Sequence, residues 1–166
     1  LPTQNNQILE DSFLLKSSDL VIEKNSIIFS NNKNEFYSIN KKNGLLNWKQ
    51  KINSSLRPII IDELIFTVSL EGFLIVINGI TGDIIRATDL FNLFKEKKRL
   101  NINPIGFTVG TKNIYLTTSN GKLLVVNIKT GKTNKMIKID GDQISKPTII
   151  NKNLYIIRNN SIIRFD

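Results

Sequence analysis

The stretch that decides the fold is Leu64–Leu90, LIFTVSLEGFLIVINGITGDIIRATDL, because the chain repeats it. Ser26–Ile52 (SIIFSNNKNEFYSINKKNGLLNWKQKI) and Asn113–Ile139 (NIYLTTSNGKLLVVNIKTGKTNKMIKI) align with it, as does the shorter Asn153–Asp166 (NLYIIRNNSIIRFD). In register, Asn34, Gly72, Gly121 and Asn160 share one turn position, each ahead of a strand that ends at Asn40, Asn78, Asn127 or Asp166. Gly and Asn tolerate positive φ, which a tight hairpin requires. A second turn follows at Asn43-Gly44, Thr81-Gly82 and Thr130-Gly131.

The apolar runs between these turns are short and β-branched: Ile27 to Phe29, Ile65 to Thr67, Phe73 to Ile77, Leu123 to Val126 and Ile162 to Phe165. Bounded by turn residues and without helical spacing, they predict strands. A further strand precedes each unit, at Leu20 to Ile22, Ile59 to Ile61, Ile105 to Phe107 and Thr148 to Ile150. Each unit is then a four-stranded antiparallel meander. A period of about 40 residues with four strands is the signature of a propeller blade.

The expected fold is therefore all-β, a single β-propeller segment over residues 1–166 with blades at 18–52, 57–90, 104–139 and 146–166. Gly44 to Gly82 spans one period, but Gly82 to Gly131 is longer by roughly ten residues, which places a basic insertion at 91–103, FNLFKEKKRLNIN. Phe91, Leu93 and Phe94 in it form either a short helical turn or a solvated loop whose apolar residues cover the blade below. The last unit has three strands. Two arrangements follow: the C-terminal half of a seven- or eight-bladed ring, or a four-bladed ring whose residues 1–17, through Ile8 to Leu15, supply the missing strand to this chain or to a second copy. An isolated half would expose apolar blade faces.

Composition narrows the chemistry. With 166 residues and 40% apolar side chains the chain can fill a core. No apolar run approaches the ~20 residues of a membrane helix. Leu1–Glu10 has neither the basic start nor the apolar run of a secretory signal, so a signal, if the protein has one, is expected to have been removed already. There is no Cys and no His, so the thiolate, the commonest metal ligand and the usual general base are missing. The 14 acidic residues are scattered, and the nearest approaches to a carboxylate cluster, Asp62-Glu63 and Asp140-Gly-Asp142, supply too few oxygens for a calcium cage. No catalytic residue, cofactor or metal site is expected. The net charge of +9 is spread over turn lysines, and its one dense cluster is Lys95, Lys97, Lys98 and Arg99. Without interleaved exposed aromatics this cluster predicts no nucleic-acid function.

The phrases Asn78-Gly-Ile-Thr-Gly82, Asn127-Ile-Lys-Thr-Gly131 and Asn40-Lys-Lys-Asn-Gly44 running on to Trp48 resemble the repeat of quinoprotein-type, PQQ-like propellers over nearly all of Leu20–Asp166. The resemblance implies that Trp48 docks between blades against the glycine turn of the next one. Arg86 and Lys135 stand at the Trp position in the later blades, and the usual Ala of the third strand is missing. Enzymatic members hold their cofactor with an acidic metal-binding group, a catalytic Asp and, in many, adjacent cysteines; the cysteines are absent here. Ser54-Ser-Leu-Arg-Pro58 with Ile59-Ile-Ile-Asp62 is similar to stretches of the non-enzymatic propeller lipoproteins of the bacterial outer-membrane β-barrel assembly machinery. That similarity implies a periplasmic or outer-membrane-associated scaffold with a protein partner, such as a β-barrel assembly subunit, docking on Leu56 and Arg57, with the loops Lys95 to Asn103, which carries Lys97, Lys98 and Arg99, and Gly141 to Lys146 expected on the same face. The alternatives are a fragment of a quinone-dependent dehydrogenase and a basic-loop binder of nucleic acid or acidic lipid acting through Lys97, Lys98 and Arg99.

Overall fold

A computed structural model describes residues 14–165. The first blade comprises β1 (Val21–Glu23), β2 (Ser26–Asn31), β3 (Glu35–Asn40) and β4 (Leu46–Gln50). The second comprises β5 (Ile59–Ile61), β6 (Leu64–Val68), β7 (Phe73–Asn78) and β8 (Ile84–Asp89). A 3₁₀ turn (Phe91–Leu93) and α1 (Glu96–Arg99) occupy the insertion, so of the two forms open to it the helical one is found. The third blade is β9 (Pro104–Val109), β10 (Asn113–Thr118), β11 (Lys122–Asn127) and β12 (Thr133–Lys138). The fourth is β13 (Thr148–Ile150), β14 (Asn153–Arg158) and β15 (Ser161–Phe165). Every sheet is an antiparallel meander in chain order.

The turn chemistry explains the repeat. Asn34, Gly72, Gly121 and Asn160 carry φ of 60°, 88°, 69° and 59° between the second and third strands. In the next turn the Asn78 side chain accepts from the N–H of Ile80 and Thr81, and Asn127 does the same for Lys129 and Thr130. The Asx turn holds the backbone until a glycine in the left-handed region, Gly82 or Gly131, turns it back. A β-bulge follows at one place in three blades, Ser38/Ile39, Val76/Ile77 and Val125/Val126.

Burial follows blade order. In the second blade β7 is buried along Leu74–Ile77, because blades cover both of its faces. In the first blade β3 alternates, with Phe36 and Ser38 buried and Tyr37 and Ile39 half-buried. Ile28, Phe36, Trp48, Ile52, Ile65, Ile75 and Ile77 join the first blade to the second. Phe66, Leu74, Phe107, Leu116 and Leu124 lie in the cluster joining the second to the third, and Leu123, Ile144, Leu154 and Ile156 join the third to the fourth. Among the described residues no buried cluster joins the fourth to the first.

Antiparallel order fixes two faces. The turns between first and second strands and between third and fourth strands lie on one, the lower face. The opposite, upper face holds the turns between second and third strands and the linkers that cross to the next blade. Linkers pack directly on those turns: a Cβ placed on Gly72 would lie 2.2 Å from the Phe91 ring, and one on Gly121 would lie 2.5 Å from the carbonyls of Asp140 and Asp142. Residues 14–18 run in the same way beside the end of β2, with Asn32 donating to the Lys16 carbonyl and Ser18 to that of Ser30. Of the strand expected over Ile8 to Leu15, residues 8–13 lie outside the described residues, as does Asp166.

Candidate protein interface on the upper face

Ser54 is wholly buried, and its hydroxyl donates to the Val68 carbonyl at 2.8 Å while accepting the Leu56 N–H at 3.2 Å. Those bonds, with buried Pro58, fix the segment between them. Leu56 rests half-buried on the cluster between the second and third blades, and Arg57 projects into solvent. Among the described residues Arg57 has no hydrogen-bond or ion-pair partner.

Both residues line a depression of about 150 Å³ where the entries to all four first strands meet. Ser17 and Asp19 come from ahead of β1, Ile105, Gly106 and Phe107 from β9, and Lys146 from ahead of β13. A Cβ on Gly106 would lie 2.4 Å from the Lys146 Cβ, so a glycine lets these two segments approach. Apolar side chains form the floor, and two cations and one carboxylate sit exposed at the rim. Leu56 and Arg57, nominated from sequence, are thus brought beside Lys146, about ninety residues away in the chain. Lys146, the last residue of the loop expected on this face, lines the depression, whereas Asp19 has no signal of its own in the sequence.

Lys97, Lys98 and Arg99 do not line the depression, and they do not act as a set. Lys97 and Lys98 are exposed on α1. Arg99 turns back into its own loop, donating to the carbonyls of Phe94 and Asn92, each at 3.1 Å, and pairing with Asp89 at 3.4 Å.

On the lower face, Trp48 of β4 lies over the second blade's glycine turn, where a Cβ on Gly82 would be 2.6 Å from the ring. Its indole N–H donates to the Gly79 carbonyl at 3.0 Å, and Gln50 donates to that of Gly82 at 2.7 Å. One blade on, Arg86 takes the same place. Its guanidinium donates to the Ile128 carbonyl at 2.9 Å, the position equivalent to Gly79, and also to the Lys129 carbonyl, while its Nε lies 3.0 Å from a Cβ placed on Gly131. The departure from Trp at this position therefore keeps the docking. Lys135 is exposed, with no equivalent turn in front of it among the described residues.

Carboxylates cluster weakly. Glu23, Asp62 and Glu63 line a lower-face groove of about 440 Å³ between the first two blades, yet among the described residues no three potential ligands come close enough to hold a metal. Asp140 pairs with Arg158 at 3.2 Å and accepts from Asn159 and the Gly141 N–H, which makes Asp140-Gly-Asp142 the anchor of a linker.

Four-stranded blades stacked through a Trp or Arg laid on an Asn-x-x-Thr-Gly turn define a β-propeller of PQQ-like repeats. The family described as outer membrane protein assembly factor BamB matches residues 2–88, just over half of the chain, and the chain belongs to that family. The crystal structure of BamB from Moraxella catarrhalis is similar at 14% identity and a TM-score of 0.68, over 89% of this chain and 41% of that one. The chain thus spans about two-fifths of that relative's length. The computationally designed Ika4 protein is similar at 9% identity and a TM-score of 0.70, over 92% of this chain and 90% of that one. The WD40 domain of Neurospora crassa Pan2 is similar at 13% identity and a TM-score of 0.62, over 91% and 46%. These likenesses concern the fold. No curated protein matches the chain.

Proposed function

We propose that this chain is a non-catalytic, protein-binding scaffold of the bacterial envelope that acts in outer-membrane protein assembly, with the upper-face depression as its docking site. The observation that carries this reading is the unpaired Arg57 guanidinium beside Leu56, at the point where all four blade entries meet. An apolar residue next to an arginine in a shallow depression is the composition of an interface anchor. Membership of a family described as an outer membrane protein assembly factor supports a partner of the β-barrel assembly class. The reading places the protein in the periplasm or on the outer membrane's inner side.

A second partner belongs to the same proposal. On the fourth blade Ile150, Tyr155, Ile157 and Ile162 line an apolar groove of about 460 Å³, with Ile162 71% exposed. The first blade presents Leu20, Ile22 and Leu46 outward. The second blade buries Val68, Leu74 and Pro58 at the positions matching Ile157, Ile162 and Leu20, so both ends of the described residues are surfaces for further blades, from a longer chain or a second copy.

The test is a titration of the chain against the isolated periplasmic region of the barrel-forming assembly subunit. Arg57→Glu should weaken binding at least tenfold and Leu56→Ala several-fold, while Lys135→Glu should not. No binding by the parent chain, or equal binding by Arg57→Glu, refutes the proposal.

A further inference from the structure

The insertion at 91–103 is built as a rigid projection. Phe91 and Phe94 are 1% and 6% exposed and meet edge to face with centroids 5.4 Å apart, and Ile102 is buried beside them. Arg99 ties the far side down through two carbonyls and Asp89. With the base fixed in this way, the remaining side chains are presented outward. Leu100 is 92% exposed, the most exposed of the large apolar residues, and Leu93 is 46% exposed. Lys95, Lys97 and Lys98 are exposed, and among the described residues their ammonium groups have no partner.

A single exposed leucine needs no explanation. Two exposed leucines and three unpaired lysines, against the single carboxylate of Glu96, within eight residues of a loop anchored at its base give that loop an amphipathic, net-cationic composition. This is the composition that inserts apolar side chains at the acyl boundary while its cations meet anionic headgroups. Nucleic acid would call for exposed aromatic faces on which bases stack, and both phenylalanines of the loop are buried.

We propose that residues 93–100 form a peripheral membrane contact, with Leu93 and Leu100 entering the interface of an anionic lipid layer and Lys95, Lys97 and Lys98 bound to its headgroup phosphates. The contact stands on the loop alone and holds whether or not the docking depression binds a protein. Being one short loop, it gives weak, salt-sensitive attachment.

Co-sedimentation with phosphatidylglycerol vesicles tests it. Binding should exceed that to phosphatidylcholine vesicles and fall at high salt. Each lysine beside such a surface contributes about fivefold, so Lys97→Glu with Lys98→Glu should lower binding roughly 25-fold or more. Leu100→Ser should lower it several-fold, and Lys135→Glu, outside the loop, should change it less than twofold. Because the chain has no cysteine, Leu100→Cys can carry one polarity-sensitive fluorophore, whose emission should shift to the blue with phosphatidylglycerol vesicles only. A loss from Lys135→Glu at least half that of the double reversal on a logarithmic scale, as their charge changes of about −2 and −4 would give, would make net charge the cause and overturn the proposal. An unshifted fluorophore would overturn it too, as would a double reversal that abolished binding of a single-stranded RNA while leaving vesicle binding intact.

Discussion

Removing the indole at Trp48 should loosen the first blade from the second, and the structure allows the cost to be worked out. Trp48 is 8% exposed, stacks on Phe36 with centroids 6.0 Å apart and planes 7° from parallel, and gives its N–H to Gly79 at 3.0 Å. Trp48→Ala loses that burial, opens a cavity above Gly82 and strands the Gly79 carbonyl, for about 3–5 kcal/mol. Arg86 occupies the same place one blade on, yet it is half-buried, and the carbonyls it leaves can turn to water. Arg86→Ala should therefore cost less, about 1–2 kcal/mol. Arg86→Lys should recover little, because a point charge cannot span the carbonyls of both Ile128 and Lys129. Arg86→Trp should fall within about 1 kcal/mol of the parent, since it removes a buried, unpaired Nε and offers an N–H toward the same carbonyl. Urea unfolding followed by far-ultraviolet circular dichroism gives all four values. Trp48 is the only tryptophan, so its fluorescence reports the first junction separately, and for Arg86→Ala that signal should persist after the ellipticity begins to fall. A loss from Arg86→Ala equal to that from Trp48→Ala, or a loss above about 3 kcal/mol from Arg86→Trp, would refute the equivalence of the two docking side chains.

Three further outcomes are expected. Gly82→Ala should cost at least about 3 kcal/mol, combining left-handed strain with a clash on Trp48, whereas Gly44→Ala, with open space around it, should cost about 1 kcal/mol; similar melting temperatures would refute the difference. The Glu35 carboxyl is held down at about 2, first by the Asn31 amide and then by Lys49 and Tyr37. Its contribution to stability is therefore complete above its ordinary value of 4.5 and lost as pH falls toward 2, so Glu35→Gln should flatten the acid limb of a stability-against-pH curve between those values; an unchanged slope would show the network to be inert. Light scattering of the parent should give a mass that rises with concentration, and Ile157→Lys with Ile162→Lys should suppress the rise; a parent that stays monomeric throughout would show that the exposed blade face seeks no partner.

The architecture was legible because its signals are local and recur. Asn at a strand end and Gly four residues later form one turn with its own hydrogen bonds, so the motif at Asn78–Gly82 predicts the same backbone at Asn127–Gly131. What the sequence hid is what depends on distance. Arg86 reads as the loss of a tryptophan until the carbonyls of Ile128 and Lys129 are seen in front of it. Lys97, Lys98 and Arg99 read as one charged patch, yet Arg99 spends its donors on the carbonyls of its own loop and its charge on Asp89. Leu56 and Arg57 come through resemblance and Lys146 with the loop expected beside them, but the close approach of Lys146 to Gly106, where a Cβ would lie 2.4 Å from its own, has no signal in the sequence.

The same register sets the first and fourth blades beside the junctions described between them. Gly82 lies under Trp48 and Gly131 under Arg86, each covered by the preceding blade, whereas Gly44 occupies the equivalent turn with nothing within 4 Å. The backbone pays the geometric requirement of that turn in all three blades, with φ of 71°, 82° and 72°. Two of the three turns receive a docked side chain, and among the described residues none docks on the third. The fourth blade is complementary, with an apolar face of Ile150, Ile157 and Ile162 and, among the described residues, no strand paired on the outer edge of β15. A blade placed ahead of Gly44 and another behind Ile162 would repeat the contacts seen three times between them. The repeat therefore defines a junction as well as a blade, and among the described residues the first and fourth blades each display half of one.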